Sequence, residues 1–467
     1  MKLPDGWSRA TPVFDDESLV SCAGLVPVLG LAERTGLSEL ISERVEFGAT
    51  TVRSAGVNPA GKLTSIIAGM AAGAECIDEL DVIRAGGMGR IFSEVYACST
   101  VGQLLREFTH GHALQLASAG RVHLVNLVRQ SNLLPGIESR VFVDIDSLLR
   151  PVFGHAKQGA SYGHTKIAGK QVLRKGLSPL ATTISAEHGA PVIAGIRLRA
   201  GRANSGRGAA SMVRDAIRLA RAAGAVGQVL VRGDSAYGNS AVVGACVRAG
   251  ARFSVVLVKD PAVTRAIASI GDDAWVPVHY PGAVADPDTG ELISDAEVAE
   301  VAFTAFATTK APVTARLIVR RVRDRAKQDE LFPVWRYHPF FTDNDEPVAQ
   351  ADITHRRHAI IETVFADLID GPLAHMPSGR FAANSAWATC AAICHNLLRA
   401  AGTLTSAHHA VARGATLRRQ IVNVPARLAR PQRRRVLHLP AHWPWANHWI
   451  NLWHNVFPTA PGPPAAA

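Results

Sequence analysis

The sequence predicts an α/β protein: a mixed sheet flanked by helices, with an inserted β-rich subdomain and a helical N-terminal region. Three observations carry that prediction. Residues 17 to about 135 show the 3.6-residue apolar spacing of helices. Two apolar runs of strand length, Arg140-Val-Phe-Val-Asp-Ile-Asp146 and Gln228-Val-Leu-Val-Arg-Gly-Asp234, follow and end in carboxylates. Residues 259–345 then turn strand-rich and irregular before helical spacing returns. With 467 residues, 48% hydrophobic and 19% charged, the chain can bury a core of several domains, and these values exclude a largely disordered protein.

The elements follow in order. Residues 25–33, 63–74 and 101–106 are amphipathic, and Ser99 stands where it could cap the last. The pattern changes at Arg140. After that first strand, 180–186 and 191–198 read as two more, joined by a turn at Glu187-His-Gly-Ala190. A helix over 208–223 places Val213, Ile217, Leu219 and Ala220 on one side. The strand ending at Asp234, a helix over 240–248 and a strand over 252–258 complete the set. Three strands followed by alternating helix and strand imply a mixed sheet covered by helices. Strand-like runs at 275–280, 298–306, 316–323 and 340–342 surround a loop at 281–290 and read as an insertion. Helical spacing resumes at Thr354, runs through His358, Ile361, Val364, Phe365 and Leu368, and stops at Gly371-Pro372. Another helix covers about 384–400. The implied divisions are 1–136, 137–258, 259–345, 346–402 and 403–467.

Charge is unevenly placed. The chain carries 50 Lys and Arg against 39 Asp and Glu, a net +11. No Asp or Glu follows Asp370, and the last 97 residues hold ten arginines, so almost all of the excess lies there. Arginine grips phosphate with a planar fork. An unbalanced block of such residues calls for a polyanion, and nucleic acid is the natural partner. Arg418, Arg419, Arg433 and Arg434 sit in its densest part. Trp443, Trp445, Trp449 and Trp453 follow them and read as packing. Pro440 and Pro444 argue against an amphipathic membrane helix there, and no apolar run is long enough to span a membrane. Six scattered cysteines and the absence of a secretory leader suit a soluble cytoplasmic protein, held at the nucleoid when bound to DNA.

Asp146 and Asp234 end strands, where sites assemble in mixed α/β sheets. Glu362 lies on a helix whose apolar side would pack on that sheet. Three carboxylates meeting without a basic partner would repel one another, and a divalent metal is the usual relief. Mg²⁺ favours oxygen ligands and keeps waters, and a pair of such ions serves phosphoryl transfer. Asp144, two residues before Asp146, faces the same way and is a rival ligand.

Several motifs resemble the catalytic domain of bacterial insertion-sequence transposases of the DDE type. They are Val143-Asp-Ile-Asp-Ser147, Pro151-Val-Phe-Gly154, Gln158-Gly-Ala-Ser-Tyr-Gly163 with Thr165-Lys166, Arg232-Gly-Asp-Ser235, His355-Arg-Arg-His358 with Glu362, His375-Met-Pro-Ser-Gly-Arg-Phe-Ala-Ala-Asn384 and His395-Asn-Leu397. The match runs in order over roughly residues 20–440. It implies an RNase H-like core with a β-rich insertion before the last carboxylate. It makes Asp146, Asp234 and Glu362 a catalytic, metal-binding triad for two Mg²⁺ ions, with Mn²⁺ as a substitute. The implied activity is cleavage of phosphodiester bonds at element ends and joining to target DNA. The implied partners are double-stranded DNA, as terminal inverted repeats and target, and a second copy of the chain in a synaptic complex. Lys166, Arg232, His355, Arg356, His358 and Arg380 join the four C-terminal arginines as candidate DNA contacts, and residues 1–136 as a DNA-binding region. Many such transposases carry a Tyr-x2-Arg-x3-Glu-x6-Lys signature. Here His355, His358 and Ile369 stand for its Tyr, Arg and Lys, which motivates the alternative of a catalytically inactive, transposase-derived DNA-binding protein.

Rival constellations are weaker. His355, His358 and Glu362 share a helical face but lack a further zinc ligand. Gly159-Ala-Ser-Tyr-Gly163 fits G-x-S-x-G without the strand and helix a nucleophile elbow needs. Cys390 and Cys394, one turn apart, read as buried packing.

Overall fold

The protein is seen in a computed structural model that describes residues 9–458, apart from 155, 168–169, 205, 281–284, 286, 288–289, 291–295 and 324–333; the side chains of 166–171 are also outside the description. A short strand β1 (Leu19–Val20) precedes six helices: α1 (Leu25–Arg34), α2 (Leu37–Arg44), α3 (Pro59–Ala72), α4 (Met88–Ile91), α5 (Cys98–Glu107) and α6 (His110–Ser131). Asn58 caps α3 through Gly61 N–H, and Thr109 and His112 form a reciprocal cap on α6. Ser99 does not cap α5. Val101 N–H already bonds the Ala97 carbonyl, so the helix starts before Ser99.

The middle of the chain supplies β2 (Arg140–Ser147), β3 (Arg150–Pro151), β4 (Ser161–Ile167), β5 (Lys170–Leu177), β6 (Leu180–Ser185), β7 (Val192–Arg197), α7 (Ala209–Ala223), β8 (Gln228–Gly233), α8 (Ser240–Arg248), β9 (Arg252–Val256) and α9 (Pro261–Ala268). Next come β10 (Val276–Pro277), β11 (Ala296–Ala305), β12 (Val313–Arg323), β13 (Trp335–Thr342), α10 (Val348–Arg356), α11 (Ile361–Ile369) and the 25-residue α12 (Phe381–Thr405). The chain closes with α13 (Ala407–Val411), α14 (Gly414–Leu417), β14 (Ala426–Ala429), β15 (Val436–His438) and α15 (Ala446–Val456).

One nine-stranded sheet runs in the order β10-β11-β12-β13-β9-β8-β2-β6-β7. β2, β8 and β9 are parallel; every other pairing is antiparallel. Val141, Val143 and Ile145 fill one face of β2, and α7 lies over that side. α10 and α11 lie over the other, which carries Asp144 and Asp146. At the far edge, α12 seals β7: the Asn396 amide accepts from Ile193 N–H and donates to the Ile193 carbonyl.

The mixed sheet with covering helices agrees with the expectation, but three details differ. The strand-rich segment does not form a sheet of its own. β13 pairs with β9, setting Phe340 opposite Val256, so β10–β13 extend the central sheet. The helix expected through Thr354 to Leu368 is broken by a 3₁₀ turn over Arg357–Ile360 between α10 and α11. Residues 403–467 are not a loose tail over their described length. β14 pairs with β1, α15 packs on α1 and α12, and Trp449 is buried. Gly24, at the head of α1, meets this region so closely that a Cβ would fall 1.9 Å from the Ile421 carbonyl oxygen.

Candidate active site

Register brings the two aspartates together. β2 and β8 run parallel with Ile145 opposite Gly233, so the next residue of each strand, Asp146 or Asp234, leaves the sheet beside the other. Asp146 accepts from Ser147 N–H at 2.6 Å, and Asp234 from Ala236 N–H at 2.9 Å, which fixes both strand ends in tight turns. Glu362 sits exposed in the first turn of α11, over the same face.

The three carboxylates feel one another. Burial, and then the charges of Asp234 and Glu362, push the Asp146 carboxyl up to about 7, with Ser147 N–H and Arg199 opposing. Arg199 is buried and bonds the Ser178 carbonyl and hydroxyl and the Asn204 carbonyl. Tyr237 is fully buried next to Asp146 and Asp234, and burial raises its hydroxyl. Among the described residues, no three acid, histidine or cysteine side chains approach closely enough to form a metal cage. The carboxylates are near enough to repel one another but not drawn into a closed cage. That donor set, all oxygen and short of positive charge, suits a hard divalent cation.

Asp144 has a different fate from Asp146. It is buried and forms a two-pronged ion pair with Arg232, at 2.7 Å to Nε and 2.8 Å to Nη2. Arg232 also donates to the Thr354 carbonyl at the end of α10 and stacks on Phe142. The pair ties both aspartate strands to the helices that lead to Glu362, and it takes Asp144 out of contention as a ligand.

Two expected DNA contacts are corrected by burial. Arg232 is 2% exposed and engaged as described, so no phosphate reaches it. His355 is buried, stacked on Phe340, and bonded to the Ser254 hydroxyl at 2.9 Å; burial holds it neutral, its pKa well below the ordinary value. Arg356, Arg380, Arg419, Arg433 and Arg434 are exposed, while His358 and Arg418 are half-buried. Arg356 lies over the Tyr280 ring, Arg380 donates to the Arg106 carbonyl, and Arg418 to the Asp370 carbonyl. Lys166 belongs to β4, but its side chain lies outside the described residues. Arg199 and Tyr237 went unnoticed in the sequence. The only available signal was that Tyr237 follows Asp234 within one turn.

A parallel pair of strands ending in aspartates, antiparallel strands on one flank and a glutamate-bearing helix across the sheet define an RNase H-like domain of the DDE class. The family model for the transposase DDE domain, group 1, matches residues 7–460, and the chain belongs to that family. Comparison with curated proteins gives no match. Within the described residues no helix is long and apolar enough to cross a membrane.

Proposed function

We propose that this chain is a working DNA transposase that cuts phosphodiester bonds at the ends of its element and joins the freed 3′ hydroxyl to target DNA. Asp146, Asp234 and Glu362 would hold two divalent ions, Mg²⁺ or in its place Mn²⁺. The observation that supports this most is the raised Asp146 carboxyl, crowded by the charges of Asp234 and Glu362. When bound, such ions supply an activated attacking oxygen and a steadied leaving oxygen. The remaining work falls to the protein. The turns after Asp146 and Asp234 aim the carboxylates, and the Asp144–Arg232 pair keeps their strands in register with α10. Arg356, Arg380, Arg418, Arg419, Arg433 and Arg434, with His358 and Lys166, would hold phosphates of the terminal repeats and target. Residues 1–136 would share in recognising the ends, and two copies of the chain would hold two ends together.

The test is cleavage and strand joining on end DNA in Mg²⁺, in Mn²⁺ and in EDTA. Asp146→Asn, Asp234→Asn and Glu362→Gln should each reduce product at least about a hundredfold while leaving DNA affinity in EDTA unchanged. One feature favours a second reading: half-buried Ile369 packs against the core where many relatives carry lysine. A parent protein that binds ends and never cuts them would make that non-catalytic reading the correct one.

A further inference from the structure

The chain has a second block of charge of one sign, and it adjoins Asp146. Residues 147–186 contain no Asp or Glu and six Lys or Arg, including four of only nine lysines in the whole protein. This segment carries the small sheet β3-β5-β4, which leaves β2 just after Asp146 and returns as β6, where Ala181 pairs with Asp146. Its root is fastened to the connector between α11 and α12. Arg150 donates to the Ala374 carbonyl at 2.8 Å, Gln158 N–H to the Gly379 carbonyl at 2.9 Å, and Phe381 N–H to the Gln158 side chain at 3.1 Å. The sheet thus leans on the segment that follows the Glu362 helix.

One face of β4–β5 is closed by glycine. A Cβ at Gly163 would fall 2.3 Å from the Gly201 carbonyl oxygen, and one at Gly201 would fall 2.2 Å from that of Ser161. The other face is open. Cross-strand register sets Tyr162 opposite Lys175 and His164 opposite Leu173 on it. Tyr162 is 67% exposed and Leu173 57%. Exposed apolar side chains interleaved with cations, beside a cluster of acids, are not what a solvated ribbon needs.

We propose that the open face of β4–β5 binds the DNA next to the bond being cut. Lys175 on that face holds backbone phosphate, and Tyr162 stacks on a base freed at the strand end. Charge selects DNA over a second copy of the chain, because a ribbon without a carboxylate in forty residues of sequence complements a polyanion. An aromatic ring set among cations is the stacking platform that unpaired strands use. The inference rests on the transposase reading for why DNA is present, and on nothing about metal.

Binding is measured by fluorescence anisotropy in EDTA, on a blunt duplex and on the same duplex with one end unpaired. Lys175→Glu should weaken both probes severalfold and flatten the log-affinity against log-salt slope by about one. Tyr162→Ala should weaken the unpaired probe alone, by about tenfold. Both side chains are outside the core, so unchanged thermal melting should accompany each result. Arg433→Glu with Arg434→Glu serves as the comparison. If the C-terminal pair matters and the β4–β5 variants do not, this proposal fails while the transposase reading stands; if no variant alters binding to either probe, both fail. Leu173→Asp that dissociates an oligomer without changing DNA affinity would mark the face as a subunit contact and overturn the proposal.

Discussion

Asp146 is the residue on which the site turns, and its titration can be followed without any substrate. Its folded carboxyl is raised to about 7 from the ordinary 3.8, so the folded state binds the proton more tightly than the unfolded chain. That contribution to stability is fully present below about pH 4 and is lost as pH rises through 7. In EDTA the melting temperature should therefore fall between these limits, and Asp146→Asn should melt higher than the parent at pH 8 while failing to cut DNA. A melting profile identical in parent and variant would deny Asp146 its crowded, under-neutralised setting. At this scale the sequence exposed the aspartates but not their division of labour. Asp144 and Asp146 sit two apart on one face of one strand, and nothing local separates them. Only the pairing of β2 with β8 puts Arg232 opposite Asp144, making one a buried ion pair and leaving the other at the strand end. The same pairing removes Arg232 from the DNA-facing set, which its place before Gly233-Asp234 had suggested.

Elements with strong periodicity were legible, and those built on glycine were not. β2, β8 and α8 fall within a residue of their expected ends because β-branched runs and a clean amphipathic stretch specify them. β4 and β5 carry no such signature. Gly163 and Gly176 break the apolar alternation, and their purpose, close approach to other backbone, appears only when Gly201 and Arg150 are in place. The α10–α11 break was hidden for the opposite reason, since Thr354 to Leu368 keeps helical spacing across the 3₁₀ turn. The edge of the sheet is closed by a contact equally invisible in sequence, the two hydrogen bonds exchanged between Asn396 and Ile193, at 2.8 and 2.9 Å. Asn396→Leu keeps the volume but strands a buried N–H and a buried carbonyl. It should cost about 2–4 kcal/mol in urea unfolding, with a stronger tendency to aggregate through the freed β7 edge. Unfolding unchanged from the parent would mean that α12 protects that edge by packing alone.

For the whole molecule, the unexpected feature is how charge and chain closure combine. The first 136 residues hold 11 Lys and Arg against 14 Asp and Glu, so the helical region expected to bind DNA is itself slightly acidic. Any part it takes in recognising ends gains nothing from net charge and rests on local contacts. The basic C-terminal region folds back upon it: β14 adds to β1, Arg427 approaches Asp16 at 3.6 Å, and Arg34 donates to the carbonyls of Asn455 and Val456. Asp367 and Asp370, one helix face beyond Glu362, hold Arg413. The arginine block therefore serves two ends, fastening the chain to itself at Arg413 and Arg427 and presenting Arg419, Arg430 and Arg433–Arg435 outward. Among the described residues no carboxylate pairs with those five. A detachable tail could be removed with loss of DNA affinity alone. A structural segment could not, because removing residues 426–467 takes the buried Trp449, Leu452 and Val456 away from α1 and α12 and leaves β1 unpaired. The truncated chain should be poorly soluble and lose its cooperative melt even without DNA. Full solubility with an unchanged melting temperature would return this region to the status of a tail.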